Sequence, residues 1–416
     1  MGWMRGELFR RPAFLRLWAA QAVSSIGSRI TRTALPVLAV LTIDASPLAL
    51  GMLIAASVVP SVLVSLAMGG VVDRSRKLPI LIAADLIRAA AVFSLPLAAW
   101  AGALTMAQLY VVAAVVGVGS AIFQIADNAY LPTLLEEDLL VAGNSTVEAT
   151  EAVAEVVGPS AAGALIQILT APLAVLVDAF TYLWSALLLA SIRKPEVPAA
   201  VEESPSVWRD IARGFGASWG HALVRPLLLA VAASTFLHGT FAALYMIYAL
   251  RNLALDVGTV GLVIAMGGVG SLVGALGTAP LSRRLGLGRA MFLFLFIAEV
   301  SGLLIPAASG PIWLALLCLF AHQLLSDGFE VAFTIQAVSL RQRVLPLDVL
   351  GRSNAAFQAV TGALLPLGAL VAGQLADLIG VRTALWIGAA ASAATPLFLL
   401  PLWRLGADRA PPRGGP

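Results

Sequence analysis

Three glutamates share one face of an otherwise apolar segment of this chain. Glu148, Glu151 and Glu155 are three and four residues apart in GNSTVEATEAVAEVVGPSAAGALI, positions 143–166, and this spacing places them on one side of a helix. A carboxylate inside a bilayer is costly unless it is neutral, paired or open to water. The stripe therefore predicts a membrane-spanning helix beside a water-accessible cavity. In the alternative, glutamates near the cytoplasmic end of the span only reach toward water.

A second polar face occurs in the first apolar segment of the chain. Arg29 and Arg32 share a helical face there with Ser25 and Pro36. Arginines at the middle depth of a membrane need carboxylates, an anionic substrate or water as partners. These two arginines are therefore candidate residues of the same functional site as the glutamates.

The second half of the chain has its own polar residues inside apolar segments. Gln323, Asp327 and Glu330 form a stripe with His322 beside it, and another segment carries His238. A single histidine in a membrane either binds substrate or hydrogen-bonds a neighbouring helix, and both interpretations stay open for His238.

Three further charged residues in apolar segments are expected to be structural. Asp85 and Arg88 have the spacing of an ion pair within one helix. Asp178 is expected to cap or pair locally at the outer end of its span.

The composition requires membrane-spanning elements to position these side chains. Of the 416 residues, 60% are hydrophobic and 12% charged, with a mean hydropathy of +0.93, whereas soluble domains are about half apolar and a quarter charged. At about 35 residues per span and loop, the chain predicts twelve spans. We place them near 14–42, 47–71, 78–100, 105–129, 143–168, 172–192, 226–250, 257–281, 289–308, 311–336, 353–376 and 382–403.

The basic residues and an internal repeat predict how these spans are arranged. With the N-terminus inside, most of the 26 basic residues fall in inner segments and only Arg251 and Arg382 in outer loops, so both termini are expected in the cytoplasm. GMLIA at 51–55 resembles GLVIA at 261–265, 210 positions later, and the same offset pairs Gly158 with Gly368. The chain is therefore expected to contain two parallel six-span halves, as transporters with internal repeats do.

The predicted organisation has four parts. These are an N-terminal six-helix bundle at 1–192, a cytoplasmic linker at 193–225, a C-terminal six-helix bundle at 226–403 and a disordered cytoplasmic tail at 404–416. In the linker, Trp208, Ile211, Phe215 and Trp219 form one stripe, which predicts an amphipathic helix at the membrane interface that tethers the halves. A plain linker with incidental aromatic residues is the alternative.

Several functional classes are disfavoured by what the sequence lacks. Cys318 is the single cysteine and the three histidines are scattered, so no disulfide or metal set is expected. No GxxxxGK[ST], HExxH or CxxC pattern occurs, and no nucleophile–base pairing is visible. The sequence predicts no enzyme, no cofactor and no direct use of ATP, and the small net charge of +3 gives no indication of nucleic-acid binding.

Two motifs resemble the major facilitator superfamily. After the second span, GGVVDRSRK contains Gly69, Asp73 and Arg74 at the positions of the family's loop signature, with Arg76 in place of the later glycine. In the fifth span, GPSAAG at 158–163 resembles the motif of the family's antiporters, with Ala162 replacing its penultimate glycine. Further short matches along the chain resemble the drug:proton antiporter-like branch that includes macrolide-efflux proteins and the enterobactin exporter.

The resemblance implies an all-α fold of twelve transmembrane helices in two pseudo-symmetric halves. It also implies roles for particular residues. The loop after the second span is expected to form a gating charge cluster, made up of Gly69, Asp73, Arg74, Arg76 and Lys77. Asp127 is expected to be a partner of Arg74 or Arg76. The antiporter-like motif consists of Gly158, Pro159 and Gly163.

Spans one and five are neighbours in that fold. We therefore expect Arg29 and Arg32 to face Glu151 and Glu155, either as a proton-exchanging site or as a static network of ion pairs. In the second half, the span of Asp327 lines the central cavity in that fold, whereas Glu299 is expected to be peripheral.

The resulting expectation is a secondary active exporter in a bacterial inner membrane. It would move an amphiphilic, drug- or siderophore-like molecule by alternating access in exchange for protons, with the proton gradient as its energy source. The expected partners are the small-molecule substrate, protons and membrane lipids, and the protein is expected to be monomeric. A proton-independent facilitator or lysolipid-like solute carrier, and a non-transporting sensor or scaffold, remain alternatives.

Overall fold

A computed structural model describes residues 8–193 and 207–403, and every regular element in these ranges is helical. The helices of the first half are α1 (Pro12–Leu41), α2 (Pro47–Arg74), α3 (Lys77–Trp100), α4 (Met106–Leu134), α5 (Leu140–Ile168) and α6 (Ala171–Ala190). The linker contains α7 (Val207–Gly220). The second half contains α8 (Val224–Ile247), α9 (Val257–Leu285), α10 (Leu287–Ser301), α11 (Leu304–Ala307), α12 (Ile312–Val344), α13 (Leu347–Ile379) and α14 (Val381–Ser392). The predicted tail at 404–416 and part of the predicted linker lie outside the described residues.

These helices confirm the predicted fold class and correct it in detail. The ninth predicted span is divided into α10 and α11, and the twelfth continues from α14 into a 3-10 segment, Thr395–Leu402. Helix α13 begins at Leu347, six residues before the predicted start, so Arg352 lies inside the helix and not at its N-terminus. Gly286 and Gly380 have φ values of 80° and 89°, which allows a sharp turn between successive helices.

Ten helical segments within the described residues are long and apolar enough to cross a membrane. Helices α1 and α5 are 30 and 29 residues long but are not among these ten. They carry the predicted arginine face and glutamate stripe, which lower their hydropathy. Among the described helices of 20 residues or more, the two that fall outside the apolar set are thus the two with the candidate site of the first half.

The chain divides into two compact units that follow the predicted halves with one exchange. The first unit contains 1–45, 56–204 and 257–265, and the second contains 46–55, 205–256 and 266–416. In the first unit, α6 packs on α1 and α3, and α5 packs on α1. In the second, α13 packs on α8, and α10 packs on α12. The exchanged segments are residues 46–55, which include the start of α2 and belong to the second unit, and residues 257–265 at the start of α9, which belong to the first.

Packing of the exchanged segments reproduces the internal repeat. In the first unit, Gly163 of α5 lies against Gly258 of α9, and in the second unit, Gly373 of α13 lies against Leu48 of α2. Both residues of the first contact are 210 positions from their counterparts in the second. The contacts therefore support the repeat that the sequence predicts, and a side chain at either glycine would push two helix backbones apart.

The linker helix α7 is fixed to α13 in the second unit. Arg352 Nε lies 3.0 Å from Asp210 Oδ1, and the hydroxyls of Ser218 and Ser353 are 2.8 Å apart. Gly214 lies so close to the backbone of Arg352 that a Cβ would overlap its carbonyl group. Small residues on one face of α7 thus allow close contact with a transmembrane helix.

Part of the predicted aromatic stripe of α7 faces away from this contact. Phe215 and Trp219 are exposed, and their rings are stacked with centroids 5.8 Å apart. The side chain of Trp208 lies outside the described residues. The structure thus shows α7 packed on the second unit, and its position at the membrane interface stays a prediction.

The glycine-rich pattern of the eighth predicted span packs within one unit. A Cβ at Gly270 would meet the Leu324 carbonyl, and one at Gly274 would meet the backbone of Gly328. Glycines at spacings near four, here Gly270 and Gly274, allow two helices to come into close contact. The contacts of these glycines are those of close packing between α9 and α12 of the second unit.

Candidate functional site

The arginine face of α1 and the glutamate stripe of α5 meet, as predicted. Arg29 Nη2 lies 3.3 Å from Glu151 Oε2, and Arg32 Nη2 lies 3.0 Å from Glu155 Oε1. Arg29 also forms an ion pair with Glu155, and the Ser25 hydroxyl donates a hydrogen bond to Glu151. Two helices separated by more than a hundred residues are thus joined by alternating positive and negative charges.

A glycine of the antiporter-like motif explains how Arg29 reaches these acids. A Cβ on Gly158 would overlap Cβ and Cγ of Arg29. The arginine side chain therefore passes across α5 at the position where that helix has no side chain. Pro159 follows at once inside the helix, where its ring removes a backbone N–H. The motif has a local role here, because it lets an arginine lie against α5.

The cluster of the first unit is close to electrically neutral. Two guanidinium groups contact two carboxylates, and arginine stays protonated under all physiological conditions. The side chains of Arg29 and Glu155 are 22% and 41% exposed, and that of Arg32 is 65% exposed. Glu148 is exposed and forms no ion pair among the described residues. The network thus balances its charges without Glu148.

The prediction for Asp127 is not supported. Its carboxylate accepts a hydrogen bond from Gln21 of α1, and no ion pair to Arg74 or Arg76 is found among the described side chains. Asp127 therefore contributes to the contact between α1 and α4 through its hydrogen bond with Gln21.

The rest of the predicted gating loop is described only in part. Gly69 and Asp73 lie on the last turns of α2, and their side-chain environment lies outside the described residues. Arg74 and Arg76 are exposed, and Lys77 is buried at the start of α3. The gating role of this loop stays a prediction.

A second polar network of the first unit is fully buried, and the predicted ion pair within α3 forms. Asp85 and Arg88 form an ion pair in which both side chains are at most 5% exposed. The guanidinium carbon of Arg88 lies 4.7 Å and 4.4 Å from the ring centroids of Phe123 and Tyr182. The guanidinium group of Arg88 therefore lies against two aromatic rings, and a planar cation binds better in such a site than a compact one.

Asp178 is buried deeper than expected. It is 0% exposed near the middle of α6, and the Thr181 hydroxyl lies 3.0 Å from its Oδ1. It forms a local hydrogen bond, as predicted, but it does not lie at the outer end of the helix. Its described hydrogen-bond partners are hydroxyl groups and not cations.

In the second unit, one histidine lies between two carboxylates from two other helices. His238 Nε2 is 3.3 Å from both carboxylate oxygens of Glu299. On the other side of the ring, His238 Nδ1 is 3.9 Å from Glu330 Oε1. Helices α8, α10 and α12 each supply one of these residues. The expectation that Glu299 is peripheral is therefore wrong, because its carboxylate contacts the histidine from inside the unit.

The other candidate residues of the second unit lie on α12. Gln323 Nε2 donates to Asp327 Oδ2 at 2.9 Å, and a Cβ at Gly267 would overlap the Asp327 carboxylate. His322 Nδ1 lies 3.2 Å from the Ser301 hydroxyl. The predicted stripe thus has partners on two neighbouring helices.

Comparison with known proteins decides the family. Residues 17–344 match the Major Facilitator Superfamily model. The chain belongs to the major facilitator superfamily. Members of this family are membrane transporters and not enzymes, so the protein is a multi-pass membrane transporter with a small-molecule substrate.

Two curated relatives align with nearly the whole length of this chain. This chain is 24% identical over 377 residues to macrolide efflux protein A of Streptococcus pyogenes, and the alignment covers 89% of this chain and 90% of the relative. It is 28% identical over 386 residues to multidrug efflux pump Tap of Mycolicibacterium fortuitum, covering 90% and 91%. Both relatives are named as efflux proteins.

Solved structures show the same fold. The nucleoside transporter NupG matches with a TM-score of 0.73 and 13% identity, covering 94% of this chain and 99% of NupG. A bacterial homologue of the iron transporter ferroportin in an inward-facing state matches with a TM-score of 0.71 and 18% identity, covering 95% and 99%. At these identities the likeness establishes the architecture alone.

Proposed function

We propose that this transporter exports an amphiphilic, drug- or siderophore-like molecule across a bacterial inner membrane in exchange for protons, by alternating access. The observation that carries the proposal is the similarity to two efflux proteins over about nine-tenths of the chain. A shared fold does not specify a substrate, but similarity along the whole chain includes the helices that carry the charged clusters.

The charged clusters are suited to bind the polar part of an amphiphilic substrate. Charged side chains inside spans are rare and mark substrate or ion pathways. Arg29 and Arg32 present guanidinium groups beside Glu151 and Glu155 in one unit, and Asp327 lies on α12 in the other. An amphiphilic molecule can exchange hydrogen bonds and charge with these groups while its apolar part contacts the apolar side chains of the spans.

A ligand screen followed by a transport assay tests this proposal. Purified protein in detergent is heated with macrolides, other antibiotics, siderophores and lysolipids, and any compound that raises the apparent Tm is tested in everted membrane vesicles. We expect a macrolide or another amphiphilic drug to accumulate when the vesicle interior is acidified.

Two outcomes would replace the proposal with another function. Transport of a lysolipid or drug that persists after collapse of the pH gradient indicates a proton-independent carrier. Binding without counterflow of any ligand indicates a sensor or scaffold that retains the fold.

A further inference from the structure

The two units differ in the kind of cation that balances their acids. In the first unit the cations are the arginines at positions 29 and 32, which do not release protons at physiological pH. In the second unit the cation nearest to the buried acid is His238, and an imidazole, unlike a guanidinium, is able to release its proton. A charge network that can change its proton content is therefore found in the second unit.

The three residues around this histidine form a series from buried to exposed. The side chain of Glu299 is 1% exposed, that of His238 is 28% exposed and that of Glu330 is 46% exposed. The two ring nitrogens face different acids, with Nε2 toward Glu299 and Nδ1 toward Glu330. An imidazole in this position can accept a proton at one nitrogen and release a proton from the other.

Burial makes the proton content of Glu299 important. An ionised carboxylate in an apolar environment is costly unless it has a counter-charge and hydrogen bonds, and His238 is its ion-pair partner among the described residues. The carboxylate therefore stays charged while the imidazole is positive, or both become neutral when the proton passes between them. Either of these two arrangements leaves the pair without net charge, whereas an ionised Glu299 beside a neutral imidazole has a net charge of −1, and burial of that charge favours uptake of a proton.

Other charged groups face this pair. Asp327 and Glu330 on α12 place negative charge near His238, and His322 on α12 lies across the Phe241 ring from it. The two carboxylates favour a positive imidazole at His238, whereas a proton on His322 would oppose it. The site holds more acids than bases, and uptake of a proton reduces that imbalance.

We propose that Glu330, His238 and Glu299 form a proton relay, in which Glu299 is the buried residue that stores the exchangeable proton. In one transfer, Glu330 gives its proton to Nδ1 of a neutral ring while the proton on Nε2 passes to Glu299. Two protons each move one step, so one proton passes in net from Glu330 to Glu299, the ring changes tautomer, and charge and atoms balance. The 3.9 Å between Nδ1 and Glu330 exceeds a hydrogen bond, so this step uses a bridging water or a rotation of Glu330. That this proton drives transport rests on the proposed function.

Infrared difference spectroscopy of the protein in liposomes tests the relay without a substrate. A step from alkaline to acidic buffer is expected to produce the C=O band of a protonated carboxyl group together with imidazolium bands. In Glu299→Gln that carboxyl band is expected to be lost. In His238→Gln and Glu330→Gln the band is expected to remain and to shift more slowly after transfer to D₂O, because the path for exchange is interrupted.

Asp178→Asn is the matched control, since Asp178 is also a buried acid but lies in the first unit among hydroxyl groups. We expect this variant to keep the component of the band that Glu299→Gln loses, and to lose only the component of Asp178 itself. A band that is unchanged in Glu299→Gln, a Glu299 component that is also missing from Asp178→Asn, or exchange of that component at the wild-type rate in both relay variants would overturn the proposal. If the infrared bands change as expected but the protein shows no pH-driven transport, the proposed exchange of substrate for protons is wrong. The proton relay itself would still be supported.

Discussion

Replacing Glu155 by glutamine tests whether the first unit holds a charge-balanced network. Glu155 contacts both arginines, so its neutralisation leaves two cations beside one carboxylate. Removing one partner of a fully buried pair costs about 3–5 kcal/mol, and exposed pairs contribute about 0–1 kcal/mol. Because Glu155 is 41% exposed and Arg32 is 65% exposed, we expect a loss of about 1–2 kcal/mol.

The assay is thermal unfolding of the purified protein in detergent. For a unit of this size, about 1 kcal/mol lowers Tm by roughly 2–4 °C, so Glu155→Gln should lower the apparent Tm by several degrees. Glu148→Gln is the matched control, since it makes the same chemical change seven positions earlier on α5. We expect the control to stay within about 0.5 kcal/mol of wild type, as for surface substitutions.

A double variant separates charge balance from simple loss of contacts. Adding Arg32→Gln to Glu155→Gln restores one cation beside one carboxylate, Arg29 with Glu151. The double variant should therefore be more stable than the sum of the two single losses predicts, by about 0.5 kcal/mol or more. Equal Tm values for Glu155→Gln and Glu148→Gln, together with strictly additive losses, would refute the reasoning.

Three further substitutions test the packing of these helices. Gly158→Val places a branched side chain where Arg29 crosses α5, and overpacking should lower the stability by about 1–3 kcal/mol, measured as a lower apparent Tm. Arg88→Lys removes a planar cation held between two aromatic rings and should cost at least about 1 kcal/mol, measured in the same way. Gly214→Leu should separate α7 from α13 and make α7 more sensitive to limited proteolysis, whereas Gly216→Leu, which has open space around it, should not.

The pairing in the first unit was predictable because two independent patterns agreed. Arginines at 29 and 32 and glutamates at 151 and 155 have helical spacing, and each set needs opposite charge inside a membrane. The family resemblance supplied the one missing fact, that spans one and five are neighbours. Spacing and topology together therefore predicted the partners, which the ion pairs confirm.

The partners of Asp127 and Glu299 were not predictable in this way. Asp127 lies near the end of α4 that precedes a short loop, so a loop cation was the simpler expectation, but its actual partner, Gln21, depends on how α1 and α4 are rotated. Glu299 is 61 residues from His238 and has no polar companion at helical spacing. The requirement that a buried acid have a partner was the available signal, but one sequence does not specify which helix supplies it.

The internal repeat was visible in the sequence, and the exchange of segments between units was not. Glycines at a constant offset indicated two equivalent halves, and Gly163 and Gly373 make equivalent contacts. A repeat shows which positions are equivalent. It does not show which helix each glycine contacts, because that depends on packing between segments far apart in the sequence.

Proton movement during drug transport decides whether this protein exchanges its substrate for protons. Proteoliposomes that contain the purified protein and an internal pH dye receive a drug identified by the ligand screen, and drug uptake and internal pH are recorded together. We expect that drug entry is accompanied by proton exit, that Glu299→Gln moves drug without moving protons, and that Asp178→Asn behaves as wild type. Drug transport by the wild-type protein with no change in internal pH would contradict this expectation.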